Sequence, residues 1–229
     1  MSIIKNVLNK VPFLEKVAVK LYHQLNPFPG SETYWKNRYE KGGNSGSGSY
    51  NRLADFKAEI INAFVKENEV ERVIEFGCGD GNQLSLTNYP NYIGLDVSEI
   101  AIQICKEKFK EDQTKRFFIY PSEDFYQNPK FYQSELSLSL DVIFHLIEDE
   151  VFEKYMIDLF QSAEKYVIIY SSNVDGAQTY HERDREILSW IEKNIKNWKF
   201  VKKIDNRYKF DPSNPEGTSK SDFFFFEKI

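Results

Sequence analysis

Apolar residues between positions 53 and 64 recur at three- and four-residue spacing, as Leu53, Phe56, Ile60, Ile61 and Phe64. That period places them on one face of a helix. From Arg72 onward the pattern changes to short apolar runs separated by helical stretches. The runs 72–76, 92–95, 116–120, 136–140 and 165–170 read as strands, and 98–110, 146–162 and 182–195 as helices. Strands alternating with helices predict a parallel, doubly wound sheet. The end of the chain departs from this rhythm. Segments 199–204 and 222–227 both read as strands, and the loop between them is rich in Pro, Asn, Ser and Gly. Consecutive strands on such a connection pair antiparallel. The expectation is an α/β fold with a seven-stranded sheet, mostly parallel, and one antiparallel strand near the C-terminus.

The N-terminal segment 2–25 has a different pattern. Ile3, Ile4, Val7, Leu8, Leu14, Val17 and Leu21 are interspersed with Lys5, Lys10, Lys16 and Lys20. The lysines interrupt the apolar positions too often for a signal peptide. Pro12 starts or kinks the second half of this basic amphipathic helix. It has two readings: packing on its own domain or a dimer partner, and contact with an anionic membrane. The expected division is a helical extension over 1–30 and one domain over 31–229, a size that suits the 229-residue chain.

Bulk properties remove several function classes. The formal net charge of −5 argues against a partner of nucleic acid, since phosphate contacts need a basic surface. Cys78 and Cys105 form no CxxC pair, so neither a zinc site nor a disulfide framework is expected, and a reducing cytoplasm is the natural compartment. No Asp, Glu or His cluster has ligand spacing in the sequence, so no metal is expected. No apolar run approaches the roughly 20 residues of a membrane span. The 19 Phe and 14 Tyr fit an aromatic core, with an aromatic-walled pocket as the other reading.

The most informative stretch is Val73-Ile74-Glu75-Phe76-Gly77-Cys78-Gly79-Asp80-Gly81-Asn82. An apolar strand runs into a turn with glycines at alternating positions, where backbone can approach a ligand closely. In a doubly wound sheet this turn lies at the carboxyl edge, where ligands bind. The dinucleotide fingerprint G-x-G-x-x-G would need a glycine where Asn82 stands. Asp96 ends the second predicted strand, the place for a carboxylate that grips ribose hydroxyls.

Glu75-x-Gly77-x-Gly79-x-Gly81, then Gly94-Leu95-Asp96-Val97-Ser98, then Leu138-Ser139-Leu140-Asp141-Val142-Ile143 resemble the ordered motifs of class I S-adenosylmethionine (SAM)-dependent methyltransferases. The resemblance extends over roughly residues 70–205 and implies a Rossmann-like domain that binds SAM and releases S-adenosylhomocysteine (SAH). It implies that the turn from Gly77 to Gly81, with Cys78 and Gln83, lines the methionine part, and that Glu75 lies near its amino group. Asp96 would take the ribose hydroxyls and Val97 the adenine face, with Asp141 also bordering the cofactor. At the end of the third strand, where the family often has an Asp, this chain has Ser122-Glu123-Asp124, of which Ser122 and Glu123 are favoured.

Methyl transfer needs the acceptor lone pair in line with the methyl group, and a base only if the acceptor must lose a proton. Acceptor groups belong on loops at the same sheet edge. His145 is the first choice for a base, with a helix-capping role as the equal alternative. His181 is second, while His23 sits in the extension. Arg183, Arg185 and Arg207 have two readings, anion binding and salt bridges. The run from Tyr34 and Trp35 through Arg38, Gly42, Gly43, Asn44, Ser45, Ser49 and Tyr50, with Asn206-Arg207-Tyr208, resembles a bacterial methyltransferase subfamily associated with capsule or surface-polysaccharide synthesis. That resemblance implies a sugar or phosphoramidate O-methyltransferase in which Tyr34, Arg38, Asn44, Ser45 and Ser49 shape the site; Tyr180, Arg183 and Arg207, on the loops after the fifth and sixth strands, are further candidates for acceptor contacts. The expected partner is a small acceptor, anionic or carbohydrate-related, bound by a monomer or homodimer. The rivals are a nicotinamide oxidoreductase, a SAM-binding scaffold or regulatory subunit without turnover, and a protein methyltransferase.

Overall fold

The computed structural model describes residues 27–176 and 178–229. The amphipathic segment 2–25, with His23, lies outside them. Helices α1 (Ser31–Glu40) and α2 (Asn51–Glu67) precede β1 (Arg72–Phe76) and β2 (Asn91–Asp96). Then come α3 (Glu99–Lys108), β3 (Lys115–Ile119), α4 (Glu123–Gln127), β4 (Ser134–Leu140), α5 (Asp149–Gln161) and β5 (Ala163–Ser171). Helix α6 (Ile187–Asn194), β6 (Trp198–Ile204) and β7 (Asp222–Lys228) complete the chain. The strands form one seven-stranded sheet in the order β3-β2-β1-β4-β5-β7-β6. Strand β7 runs antiparallel to both β5 and β6, and the remaining pairs are parallel.

Alternation along the strands sorts the core onto two faces. Val73, Leu136, Leu138, Phe223 and Phe225 pack with Phe56 and Ile61 of α2 and Ile102 of α3. Ile74, Phe76, Val167, Phe224 and Phe226 pack with Phe152, Met156 and Leu159 of α5. The run Phe223-Phe224-Phe225-Phe226 therefore serves both faces. Strand β4 carries Ser137 and Ser139 opposite its leucines. Ser139 Oγ lies 2.7 Å from Tyr155 Oη, which donates to the Phe76 carbonyl at 3.1 Å, so Ser139 is the donor to Tyr155.

Two helix starts differ from the sequence expectation. A short 3₁₀ turn, Ile143–His145, follows β4, and α5 begins only at Asp149. His145 therefore does not cap a helix starting at Leu146. Residues 182–186 are irregular and α6 begins at Ile187, because Arg183 N–H donates to the Phe144 carbonyl at 2.7 Å instead of entering a helix. The parallel register puts Phe76, Asp96 and Leu140 at one sheet edge. Among the described residues no helix is long and apolar enough to cross a membrane.

Candidate functional site

Strand β1 ends at Phe76, and the Gly77 and Cys78 N–H groups turn onto the Leu95 carbonyl at 2.7 and 2.9 Å. Gly77 and Gly79 have φ of +82° and +57°. A Cβ on Gly77 would lie 2.4 Å from a methyl of Val142, and one on Gly79 would lie 2.2 Å from Ser45 Oγ. Neither position admits a side chain. Asp96 ends β2, and its carboxylate accepts Gly79 N–H and Ser98 N–H, each at 2.9 Å. Burial pushes the Asp96 carboxyl up to about 6, although the N–H groups of Ser98, Gly79 and Val97 pull it down.

A chamber of about 190 Å³ is lined on one side by Gly77, Gly79 and Asp96. Val97, Pro121, Leu140, Val142 and Trp35 supply apolar walls, and Asp96 and Asp141 supply carboxylates. It is small for a ligand pocket. Residues 42–50 narrow it. Ser45 N–H donates to Asp80 Oδ2 and Ser45 Oγ accepts from Asp80 N–H, both at 3.0 Å. Tyr50 Oη donates to Asp80 Oδ2 at 2.7 Å, and Asn82 Nδ2 to the Ser49 carbonyl at 2.7 Å. Burial raises the Asp80 carboxyl, but the hydrogen bonds from Tyr50, Ser45 and Asn82 outweigh it and hold Asp80 below the ordinary value.

Beside it lies a wider space of about 850 Å³, bounded by the loops around 44–51, 172–184 and 210–221. Asp141 and His145 border both spaces. Asp141 has φ +58° and is tied down: Lys57 Nζ donates to one oxygen at 2.7 Å and Ser221 Oγ to the other at 2.8 Å. Lys57 is fully buried. His145 lies edge-on to Trp35, with ring centroids 4.9 Å apart, and its Nδ1 is 3.0 Å from the His181 carbonyl. Since a carbonyl only accepts, Nδ1 carries the proton and the neutral ring keeps its lone pair on Nε2. Burial pushes His145 down to about 4 and also lowers His181. His181 stacks on Tyr34 at 4.9 Å.

Several residues singled out from the sequence stand elsewhere. Glu75 lies off the chamber wall, accepting Tyr92 Oη at 2.7 Å, and burial pushes it up to about 7. Cys78 is buried, and Gly81 faces Phe109 and Cys105. Gln83 is buried and donates to the Ala54 carbonyl at 3.0 Å. Ser122 caps α4 by accepting Phe125 N–H, and Glu123 lies in the first turn of that helix. Tyr120 and Pro121 line the chamber in their place. Arg38 and Asn44 line the wider space and brace one another, Arg38 Nε donating to the Asn44 carbonyl at 2.6 Å. The Tyr180 ring lies 5.6 Å from Phe28. Arg183 bonds the Ile147 carbonyl at 3.0 Å and Asp149 at 2.8 Å. Arg207 pairs with both oxygens of Glu59, at 2.8 and 2.9 Å. For these two arginines, salt bridges describe the geometry. Lys57, Asp80, Glu182 and Ser221 had no assigned role. The partners that bring them to the site, Asp141 for Lys57 and Ser221, Ser45 and Tyr50 for Asp80, and Lys220 for Glu182, lie far along the chain, and a run such as Phe56-Lys57-Ala58, a lysine on an apolar helix face, hints at burial.

No protein-family model and no curated protein matches the chain. Solved structures do. The methyltransferase domain of bacterial CtHen1-C superposes with a TM-score of 0.60 at 19% identity, covering 77% of this chain and 99% of that one. Magnesium protoporphyrin IX methyltransferase from Synechocystis PCC 6803 with bound SAM gives 0.60 at 14%, covering 89% and 100%. The N-methyltransferase NodS from Bradyrhizobium japonicum WM9 in complex with SAH gives 0.59 at 13%, covering 77% and 87%. At these identities the likeness is one of architecture: the chain has the Rossmann-like fold of SAM-dependent methyltransferases.

Proposed function

We propose that the protein is a SAM-dependent methyltransferase acting on a small polar acceptor, an O-methyltransferase of sugar or phosphoramidate precursors of surface polysaccharide. One observation carries this reading: a narrow apolar-walled chamber lined by the glycine turn and Asp96 meets a wider polar space at Asp141 and His145. Donor and acceptor thereby lie side by side, and positioning supplies much of the rate in a direct displacement. Gly77 and Gly79 let backbone approach the donor, Asp96 accepts its ribose hydroxyls, and Val97 and Pro121 pack on its adenine. Bound SAM supplies a methyl carbon on a positive sulfonium. Trp35 and Tyr39 line the chamber, and their rings would keep water from the bound donor. His145 stands at the junction, beside the acceptor oxygen. Hydroxyl and amide groups of Asn44, Ser172, Thr218 and Ser219, with Arg38 and Lys220, suit a hydroxyl-rich or anionic acceptor.

The test offers methyl-labelled SAM with sugars, sugar phosphates, phosphoramidates and a protein mixture. Label in a small-molecule product, lost in Asp96→Asn, supports the reading. Label only in protein makes the chain a protein methyltransferase. SAM binding without transfer to any acceptor makes it a scaffold or regulatory subunit.

A further inference from the structure

We propose that His145, His181 and Glu182 form a binding site for a divalent transition-metal ion of the zinc or manganese type, on the acceptor side of the chamber. One nitrogen from each ring and one oxygen of Glu182 lie within 4.8 Å of one another. Nothing in the linear spacing announces this, because two loops bring the groups together. Arg183 N–H donates to the Phe144 carbonyl at 2.7 Å, and the Thr179 N–H to the Glu182 carbonyl at 2.8 Å, which fixes His181 and Glu182 against the turn that carries His145.

The surroundings of the three groups suit an ion. The His145 Nδ1–H is held by the His181 carbonyl at 3.0 Å. Metal-bound imidazoles are oriented in this way, through the nitrogen that does not bind. The two imidazole rings are stacked, with centroids 5.5 Å apart, so one ring must turn for both in-plane lone pairs to meet one ion; Tyr34 stacks on His181 and Trp35 lies edge-on to His145. Among the described residues the Glu182 carboxylate has longer ion-pair contacts, 3.9 Å to His181 Nε2 and 3.6 Å to Lys220, while Lys220 lies closer to Asp184, at 3.0 Å. His181 and Glu182 are each about a third exposed, so an ion can enter from the wider space. Ligand atoms around one ion with bonds near 2.0–2.2 Å stand about 3–4 Å apart, so closure needs an inward shift of roughly 1 Å together with the turn of one imidazole. Two imidazoles and a carboxylate favour zinc, manganese or iron over magnesium or calcium, which prefer all-oxygen sets.

Three protein ligands leave open positions for water or an acceptor oxygen. On the methyltransferase reading, which this role requires, the ion takes the acceptor hydroxyl and lowers its pKa. The hydroxyl proton passes to water in the wider space. The oxygen lone pair then bonds to the methyl carbon, and the carbon–sulfur bond breaks with its electrons left on sulfur. No side chain has to serve as the base.

The test titrates metal-free protein with Zn²⁺ by calorimetry and with Mn²⁺ by electron paramagnetic resonance, without SAM. Wild type should bind one ion per chain, and His181→Ala and Glu182→Gln should each bind at least tenfold more weakly. Melting and SAH titration establish that both variants are folded. No stoichiometric binding by wild type, or equal binding by both variants, overturns the site. Metal binding with no SAH binding leaves the ion site standing and overturns the methyltransferase reading; SAH binding with no metal does the reverse.

Discussion

Asp96 and Glu75 are both buried acids at the carboxyl half of the sheet, and their environments set them different tasks. Asp96 must be ionised to accept ribose hydroxyls, and burial has pushed it up to about 6. SAH affinity should therefore be level above that pH and weaken by up to about tenfold per unit below it. Calorimetric titration from pH 5 to pH 8 checks this, and a flat profile contradicts it. Glu75 is pushed from 4.5 up to about 7, first by burial. The folded state then holds a proton that the unfolded state has lost. Its contribution to stability is fully present below about pH 4.5 and is lost as pH rises through about 7, on the order of 3 kcal/mol in all. Glu75→Gln should melt several degrees above wild type at pH 8 and close to it at pH 4.5. Equal melting temperatures at pH 8 would contradict the assignment.

Between elements, Lys57 of α2 ties to Asp141 at the end of β4 in a buried ion pair. Their Nζ and Oδ2 atoms are 2.7 Å apart, with the lysine fully buried. Lys57→Met leaves a poorly solvated carboxylate and should cost roughly 3–5 kcal/mol in urea unfolding. A near-neutral result would show that Asp141 is satisfied without it. The arginines separate by what they hold. Arg185 bonds the Leu146 and Ile147 carbonyls and Asp149, so it fixes the segment after His145. Arg207 and Glu59 are half exposed on the surface. Arg207→Ala should change stability by less than about 1 kcal/mol, and Arg185→Ala by about 2 kcal/mol; the reverse order in thermal melts would contradict this. These ties were illegible in the sequence. A lysine on an apolar helix face reads as a flaw until the carboxylate 84 residues away is placed against it. Helices α5 and α6 start late for a similar reason: tertiary hydrogen bonds to 143–147 override a helical pattern that begins near Leu146 and Glu182.

At the scale of the molecule, the sheet was the most legible feature. Strand periodicity, the glycine turn and Asp96 are local signals, and the parallel register brings them to one edge. The spaces beside that edge were less legible, because loops separated in sequence enclose them. Asn44, Ser45 and Ser49 were expected to shape the site, but the sequence did not show that Ser45, Ser49 and Tyr50 clamp onto the glycine turn through Asp80 and Asn82. Opening that clamp is what a ligand larger than the chamber requires. Backbone amides of 42–50 should then change their hydrogen-exchange rates on SAH binding, while those of β1 and β4 stay protected. The most direct measurement of the central claim is calorimetric titration of wild type and Asp96→Asn with SAM and SAH. Wild type should bind at one site per chain with a Kd on the order of micromolar, weakened at least tenfold in the variant. No heat from either ligand, or equal affinity in the two proteins, would contradict that claim.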